Sequence, residues 1–253
     1  MTYQLFHSYK FTETERQRMD LDGHLAYPGL LTGEAQVHLT EALAHIDSLE
    51  RVDDYEPNRF AAEYNAYLED LITHPQMLEL VGQVLGKEVR YDHCVTLNRP
   101  GGNGGSHWHS HGYAEDDPHL GFIRIFFYVN GFEINDGGLA VVPGSHLFRD
   151  TKIHAKSDSE LELGWMLGKQ HPITEQPLKI EHLSMPAGTI ILMWTHAAHG
   201  VSARRPDSDT RWAVVYAYRN PGKPSGARWI SQKYEDQRRT APNSPLKDLV
   251  SLY

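Results

Sequence analysis

The stretch Phe122-Ile123-Arg124-Ile125-Phe126-Phe127-Tyr128-Val129 indicates the fold class of this chain. It is rich in β-branched and aromatic residues, and Gly121 and Asn130 bound it, which is typical of a β-strand. Four further runs share these properties, at residues 89–97, 139–142, 189–194 and 211–218. Because the strands are short, their connections are long and no strand–helix alternation is visible, the pattern favours a β-sandwich or jelly roll over a doubly wound fold.

The residues before these strands predict helices. Thr12 and Glu15 have the spacing of a capping box, which begins a helix that runs to about Asp20. Thr32 caps a longer helix over about 34–49, and Pro75 begins another that Gly86 ends. The prediction is a single domain over 1–253, mainly β with flanking helices. Its parts are a helical region over about 1–86, a jelly-roll core over about 87–220 and a tail over about 221–253. Residues 150–176 are polar and predict a lid or an insertion.

Composition narrows the class of partner. The chain has 253 residues, a net charge of −9 and no run of Lys or Arg, so nucleic acid and anionic membranes are poor partners. Cys94 is the only cysteine, which excludes an intrachain disulfide and fits a reducing cytoplasm. The polar N-terminus lacks the apolar core of a signal peptide, and no apolar run is long enough to cross a bilayer. We therefore expect a cytoplasmic protein.

Two histidines carry the clearest functional signal. His109 and His111 flank one residue, so on a β-strand both side chains point to the same face and form half of a metal site. His107 would share that face, and because a metal rarely uses three successive alternate positions, one of the three is expected to stay outside. His196 and His199, which follow the run 189–194, offer the second half. A distant histidine that completes a facial set of three is the arrangement of non-haem iron oxygenases.

At this point the sequence resembles a known family. The segment Gly137-Gly138-Leu139-Ala140-Val141-Val142-Pro143-Gly144-Ser145-His146 is similar to one in the phytanoyl-CoA dioxygenases, which are Fe(II)- and 2-oxoglutarate-dependent oxygenases. Trp108-His109-Ser110-His111 falls where that family has W-H-x-D. His199-Gly200 and Arg211 resemble the distal iron histidine and the arginine that binds 2-oxoglutarate. Residues 22–25 and 28–31 resemble the N-terminal segment of the family, so the likeness covers nearly the whole chain.

The resemblance implies a fold, a reaction and a set of site residues. The fold is a double-stranded β-helix, a jelly-roll and cupin-like barrel. The reaction is hydroxylation of a small molecule with O2, releasing succinate and CO2 from 2-oxoglutarate. His109, His111 and His199 would bind Fe(II), and Arg211 would pair with the distal carboxylate of 2-oxoglutarate. Phe126 would lie near the cosubstrate, although core packing explains Phe126 equally well and a surface salt bridge explains Arg211. Asn98 and Arg99 end a strand next to the glycine loop, and we expect them to face the pocket.

One position departs from the family. The third ligand of the family is a carboxylate, whereas position 111 is histidine. Two histidines and a carboxylate leave Fe(II) with a net charge of +1, and three neutral histidines leave it at +2. We expect the second set to attract the 2-oxoglutarate dianion more strongly and to activate oxygen more slowly. Three interpretations stay open: His111 binds the metal, it swings away in favour of water or a carboxylate at 115–117, or it impairs catalysis.

A second family matches part of the same segment. Residues 109–115 match the H-x-H-x3-E core of the cupins, in which Glu115 would be a fourth ligand. That interpretation predicts a three-histidine metal dioxygenase that does not use 2-oxoglutarate. The second cupin motif is missing, and Pro143-Gly144-Ser145-His146 fits the phytanoyl-CoA dioxygenases better. A third hypothesis is a metal-binding barrel with impaired catalysis.

Overall fold

A computed structural model describes residues 3–50, 56–112, 117, 119–223 and 228–251. In these residues the helices are α1 (Glu13–Asp22), α2 (Gly33–Ser48), α3 (Ala61–Tyr64), α4 (Ala66–Ile72), α5 (Pro75–Leu85), α6 (Asp158–Leu163) and α7 (Gln232–Thr240). The strands are β1 (His24–Tyr27), β2 (Arg90–Thr96), β3 (Ser106–His109), β4 (Phe122–Tyr128), β5 (Leu139–Val141), β6 (His154–Ala155), β7 (Glu181–His182), β8 (Thr189–Trp194), β9 (His199–Val201) and β10 (Ala213–Arg219). Within the described residues, no helix is long and apolar enough to cross a membrane.

The strands form two antiparallel sheets. The order is β1-β8-β4-β10-β2 in the major sheet and β6-β3-β9-β5-β7 in the minor sheet. With the flanking helices they make the predicted double-stranded β-helix. The described strands do not close into a barrel, because each sheet keeps its own two edge strands and no strand pairs across to the other sheet. The expected cupin-like barrel is therefore corrected to a jelly roll of two open sheets.

Strand β4 lies at the centre of the major sheet, and its two faces have different neighbours. Ile123, Ile125 and Phe127 pack in the same cluster as the buried residues of the N-terminal helices. Phe126 and Tyr128 lie in a second cluster with residues of the minor sheet. Side chains alternate between the faces of a strand, so the strand forms part of the hydrophobic core with one face and part of the space between the sheets with the other. Burial of each of these side chains stabilises the fold by about 1.5–3 kcal/mol.

Caps and side-chain hydrogen bonds define the helices as the sequence predicts. The Thr12 hydroxyl accepts from the Glu15 amide at 3.2 Å, and the Glu15 carboxylate accepts from the Thr12 amide at 2.7 Å. Helix α5 begins at Pro75 and ends before Gly86. The Tyr216 and Tyr218 hydroxyls, on β10, donate to carbonyls of α4 at 3.0 and 2.8 Å. These last two bonds fix the helical layer to the major sheet.

Several parts of the chain have structure that the sequence did not predict. Strand β1 was not predicted, because its four residues become a strand only by pairing with β8. Residues 150–176, expected to be a lid or an insertion, contain α6, whose Leu161 packs with Trp108 behind β3. The C-terminal tail contains α7 and contributes Leu246, Leu249 and Val250 to the main core cluster.

Candidate functional site

Three histidines come together where the minor sheet faces the major sheet. His109 on β3 and His199 on β9 are direct cross-strand partners, and their ring centroids are 4.2 Å apart. His111 lies two residues beyond the end of β3, with its ring centroid 4.8 Å from that of His109 and 5.3 Å from that of His199. One ligand atom from each lies within 4.8 Å of the others, so a single ion could contact all three. The structure brings together the three predicted ligands, and of the two distal candidates it selects His199 over His196.

The two cross-strand histidines have the same tautomer. The Nδ1 atom of His109 lies 2.8 Å from the carbonyl oxygen of His107, and that of His199 lies 2.9 Å from the carbonyl oxygen of Ala197. Because a carbonyl oxygen only accepts, Nδ1 carries the proton in both rings. The lone pair is then on Nε2 and is available to a metal, an arrangement that is common around metal-binding histidines.

Electrostatics keep the cluster neutral. Burial lowers the pKa of His109, and it lowers the pKa of His111 and His199 well below the ordinary histidine range. The Arg124 guanidinium acts in the same direction on all three. Uncharged imidazole is the form that binds a metal, so the cluster is in its binding form at neutral pH.

Other histidines near these segments lie outside the cluster. His107 is exposed, and its ring faces that of His154 with centroids 5.8 Å apart. His146 directs Nε2 to the carbonyl oxygen of Asp20 at 3.0 Å, so it ties the turn after β5 to helix α1. His196 is buried and lines a different pocket, on the side of Trp194 and His146.

A cavity of about 300 Å³ opens beside the three histidines. Arg211 lies in its wall with 1% of its surface exposed. Its guanidinium lies over the Tyr128 ring, 5.3 Å from the centroid, and donates to the carbonyl oxygen of Gly137. Its Nε atom has no hydrogen-bond partner among the described residues. Burial lowers the pKa of Arg211 to about 10, which still leaves it charged at neutral pH. The structure thus places a buried cation with unused bonding capacity beside the histidine cluster.

A sequence model of the phytanoyl-CoA dioxygenases (PhyH) matches residues 19–211, which is most of the chain and includes all three histidines and Arg211. The chain belongs to the phytanoyl-CoA dioxygenase family. A curated relative of this protein is the dioxygenase lolE1 of Epichloe uncinata, 27% identical over 157 residues, which are 61% of this chain and 55% of that protein. The match therefore spans about half the length of that relative.

Solved structures share the fold of this phytanoyl-CoA dioxygenase family member. One is EctD from S. alaskensis with 2-oxoglutarate and 5-hydroxyectoine, at 16% identity and a TM-score of 0.66, covering 98% of this chain and 91% of that one. Another is the epimerase SnoN in complex with Fe3+, alpha ketoglutarate and nogalamycin RO. It has 18% identity and a TM-score of 0.65 and covers 92% of each chain. At these identities the likeness concerns the fold.

Three further residues, Phe126, Asn98 and Arg99, were expected at the cosubstrate pocket of this family member. Phe126 lines the cavity, with its ring centroid 6.3 Å from that of His199. Asn98 does not: its amide donates to Asp47 at 2.9 Å, on helix α2, and its oxygen accepts from the Ala213 amide at 3.3 Å. Adjacent residues of an extended chain point to opposite sides, so only one of Asn98 and Arg99 can face the cavity. The expectation for Asn98 is corrected, because Arg99 is the one that lines the cavity.

The sequence analysis did not identify two residues that line the cavity, Arg124 and Trp229. Arg124 is a charged residue inside the apolar run of β4, in phase with Phe126, so the alternation that places Phe126 at the cavity also places Arg124 there. Trp229 reaches the cavity from the C-terminal tail through a bridge to His93 on β2. Its position depends on tertiary pairing, and the sequence offers only an aromatic residue in a polar segment.

Proposed function

We propose that this protein is an Fe(II)- and 2-oxoglutarate-dependent dioxygenase that hydroxylates a small-molecule substrate. The reaction would consume the substrate, 2-oxoglutarate and O2, and release the hydroxylated product, succinate and CO2. The observation that carries the proposal is that three converging histidines and the buried Arg211 share the wall of one cavity. Family membership supports the same reaction class.

The histidine cluster fits iron. Imidazole nitrogen is a good ligand for Fe, and three ligands on one side of the ion leave the other positions open for cosubstrate and oxygen. His109 and His199 would bind through Nε2, because backbone carbonyls hold their Nδ1 protons. His111 would supply the third nitrogen. Bound iron would supply the redox chemistry that couples 2-oxoglutarate decarboxylation to substrate oxidation.

Arg211 fits the distal carboxylate of 2-oxoglutarate. A guanidinium presents a planar fork that matches both oxygens of a carboxylate. Because Arg211 is buried, its attraction for an anion is screened less than it would be at the surface. Arg99 lines the same cavity, and burial lowers its pKa without a carboxylate partner among the described residues. Both cations favour an anionic cosubstrate at this end of the cavity.

His111 sets the charge of the proposed centre. Three neutral imidazoles would leave bound Fe(II) with its full charge of +2, whereas a carboxylate in place of one would reduce it to +1. The higher charge strengthens the attraction for the 2-oxoglutarate dianion and provides less anionic charge to stabilise the more oxidised iron. We propose slow oxygen activation with tight cosubstrate binding.

The decisive experiment compares the wild-type protein with His111→Asp. Succinate release is measured with Fe(II), 2-oxoglutarate and O2, with and without candidate substrates. We expect wild type to bind 2-oxoglutarate and to release succinate slowly. The variant should release it about tenfold faster or more, since a tenfold change needs only about 1.4 kcal/mol of barrier. His107→Asp adds the same carboxylate at an exposed position of β3 and should leave the rate of succinate release unchanged.

Two results would contradict the proposal. One is that neither wild type nor His111→Asp binds 2-oxoglutarate or forms succinate with any candidate substrate. The other favours the cupin-like dioxygenase: substrate oxidation survives Arg211→Ala and needs no 2-oxoglutarate, whereas Glu115→Ala abolishes it. Glu115 lies outside the described residues.

A further inference from the structure

Arg124 is a second buried cation in the wall of the cavity. It exposes 6% of its surface and projects from β4 toward the space between the sheets. Its Nε donates to the Thr195 hydroxyl and its Nη1 to His93 Nε2, both at 3.3 Å. Neither partner carries a negative charge. Among the described residues no carboxylate lies within ion-pair distance of Arg124, so its charge is left without a direct counter-charge.

A carboxylate does lie one residue further away. Asp92 accepts from His93 Nδ1 at 2.7 Å. Since arginine can only donate, His93 accepts with Nε2 and keeps its proton on Nδ1, and the chain runs from Arg124 through a neutral ring to Asp92. Burial lowers the pKa of His93, in agreement with the neutral form. This chain holds the guanidinium in place and leaves its charge available to the cavity.

Arg124 and Arg211 lie at opposite ends of the cavity. The guanidinium of Arg211 lies over the ring of Tyr128, whereas that of Arg124 lies 5.8 Å from the ring centroid of Phe122. Phe122 and Tyr128 are the two end residues of β4. At about 3.3 Å per residue they are about 20 Å apart along the strand. Phe126 lies between them, beside His199, so the histidine cluster lies between the two cations.

One cosubstrate molecule cannot serve both cations. 2-Oxoglutarate is a five-carbon chain, and its four C–C bonds of about 1.5 Å separate the terminal carbons by at most about 6 Å. If Arg211 holds its distal carboxylate, Arg124 lies beyond its reach on the other side of the metal ligands. Val95 and Val215 line the cavity at the level of Phe126, with which they are in register. Trp229 lines it nearer to Arg124, through its bridge to His93. The Arg59 guanidinium lies 5.0 Å over the Trp229 ring, but Arg59 is paired with Glu56 at 2.8 Å.

From these distances and charges we infer that Arg124 binds a carboxylate of the primary substrate. The substrate class is a small monocarboxylate with an apolar body, held with its carboxylate at Arg124 and its body against Val95, Val215 and Trp229. The inference rests on the proposed function for the place of 2-oxoglutarate. A substrate fixed at Arg124 would extend its apolar part toward the histidine cluster, which is where oxidation would occur.

The test uses the full chain loaded with Ni(II), which stands in for iron without turnover, with and without 2-oxoglutarate. The probes are benzoate, 3-phenylpropionate and hexanoate, each compared with its primary amide by calorimetry. In wild type at least one carboxylate should bind about tenfold to a hundredfold more tightly than its amide, the range of a charge-assisted hydrogen bond. Arg124→Gln should remove that preference and leave the Kd of 2-oxoglutarate within about twofold. Arg124→Lys should restore part of it.

Arg211→Gln is the reciprocal variant. It should weaken the binding of 2-oxoglutarate and preserve the preference for the carboxylate probe over its amide. The inference is overturned if no probe prefers the carboxylate in wild type, or if Arg124→Gln weakens 2-oxoglutarate as strongly as Arg211→Gln does, because Arg124 would then belong to the cosubstrate site. Failure of the proposed function has a different signature, namely that wild type binds no 2-oxoglutarate. In that case the preference measured with Ni(II) alone still decides whether Arg124 binds a carboxylate. Circular dichroism confirms that each variant is folded.

Discussion

At the scale of single residues, two histidines that lie close together in the sequence have different environments. His107 and His109 are two positions apart on β3, yet His107 is exposed and His109 faces the cavity. The pairing of β3 with β9 is irregular between Ser106 and His109, which separates two side chains that a regular strand would place on one face. The backbone irregularity therefore turns His109 toward the cluster and leaves His107 outside it.

That contrast gives a prediction with an internal control. His109→Ala should weaken Ni(II) binding by more than about 100-fold, since even the loss of an outer partner of a ligand commonly costs about 10–100-fold. His107→Ala removes an exposed ring and should leave the affinity within about twofold. Calorimetric titration with Ni(II) measures both. Equal losses in the two variants would show that the cluster is not the binding site.

At the scale of elements, the turn after β5 positions the segment that carries His199. The Ser145 hydroxyl accepts from the Ala198 amide at 2.8 Å, and both groups are buried. Gly144 precedes it with a φ of +79°, and a Cβ there would lie 2.3 Å from the His171 ring. Position 144 therefore requires glycine, because its φ is positive and a Cβ would clash with His171. Position 145 requires a hydroxyl that accepts from the Ala198 amide. These contacts explain the motif Pro143-Gly144-Ser145-His146 as a support for the cluster.

Removal of that hydroxyl should affect both stability and the site. Ser145→Ala leaves the buried Ala198 amide without its acceptor, which costs about 1–3 kcal/mol of unfolding free energy. Ni(II) affinity should fall as well, because Ala197 and Ala198 precede His199 and the Ala197 carbonyl holds its ring. Ser184→Ala is the matched control, since Ser184 is exposed and its hydroxyl donates to Glu133 at 2.8 Å. Urea unfolding and metal titration measure the two effects. If Ser145→Ala leaves the Ni(II) affinity unchanged, Ser145 does not position His199.

Much of the major sheet could be predicted from the sequence, and much of the minor sheet could not. Strands β2, β4, β8 and β10 are buried on both faces and rich in β-branched and aromatic residues, and their predicted ends differ from the observed ends by at most two residues. Strands β6 and β7 have two residues each and exist only through pairing. Within the site, spacing and resemblance identified the histidines and Arg211. Arg124 was missed, although it is in phase on β4 with Phe126, which was expected to line the pocket.

At the scale of the whole molecule, buried histidines link stability to pH. Burial lowers the pKa of His146 to about 4, and burial also lowers the pKa of His24 and His93. In the unfolded chain these rings titrate near 6.5. Between pH 6.5 and 4 the unfolded chain therefore binds more protons than the folded protein, so stability falls as the pH decreases through that window. The same holds for the metal-free cluster.

His146 offers the clearest test of this linkage. A shift from about 6.5 to about 4 corresponds to up to about 3 kcal/mol of stability that is present above pH 6.5 and lost by pH 4. His146→Gln keeps a donor for the Asp20 carbonyl and removes the titration, so its unfolding free energy should depend less steeply on pH in that window. His7→Gln, at an exposed histidine, controls for the loss of a ring. Parallel pH profiles for wild type and His146→Gln, from urea unfolding, would contradict the linkage.

The cross-strand placement of His109 and His199 has a consequence for the dynamics of the fold. The two residues lie opposite each other on β3 and β9, so an ion bound to both would cross-link two hydrogen-bonded neighbours. Opening of that pair would then require loss of the ion, and a ligand at 100 times its Kd opposes such opening by about 2.7 kcal/mol. Backbone amides of β3 and β9 would exchange with deuterium about 100-fold more slowly in the loaded protein, while those of β4 and β8 would keep their rates. The occupancy of the centre can thus be followed from amide exchange in the minor sheet, independently of any turnover.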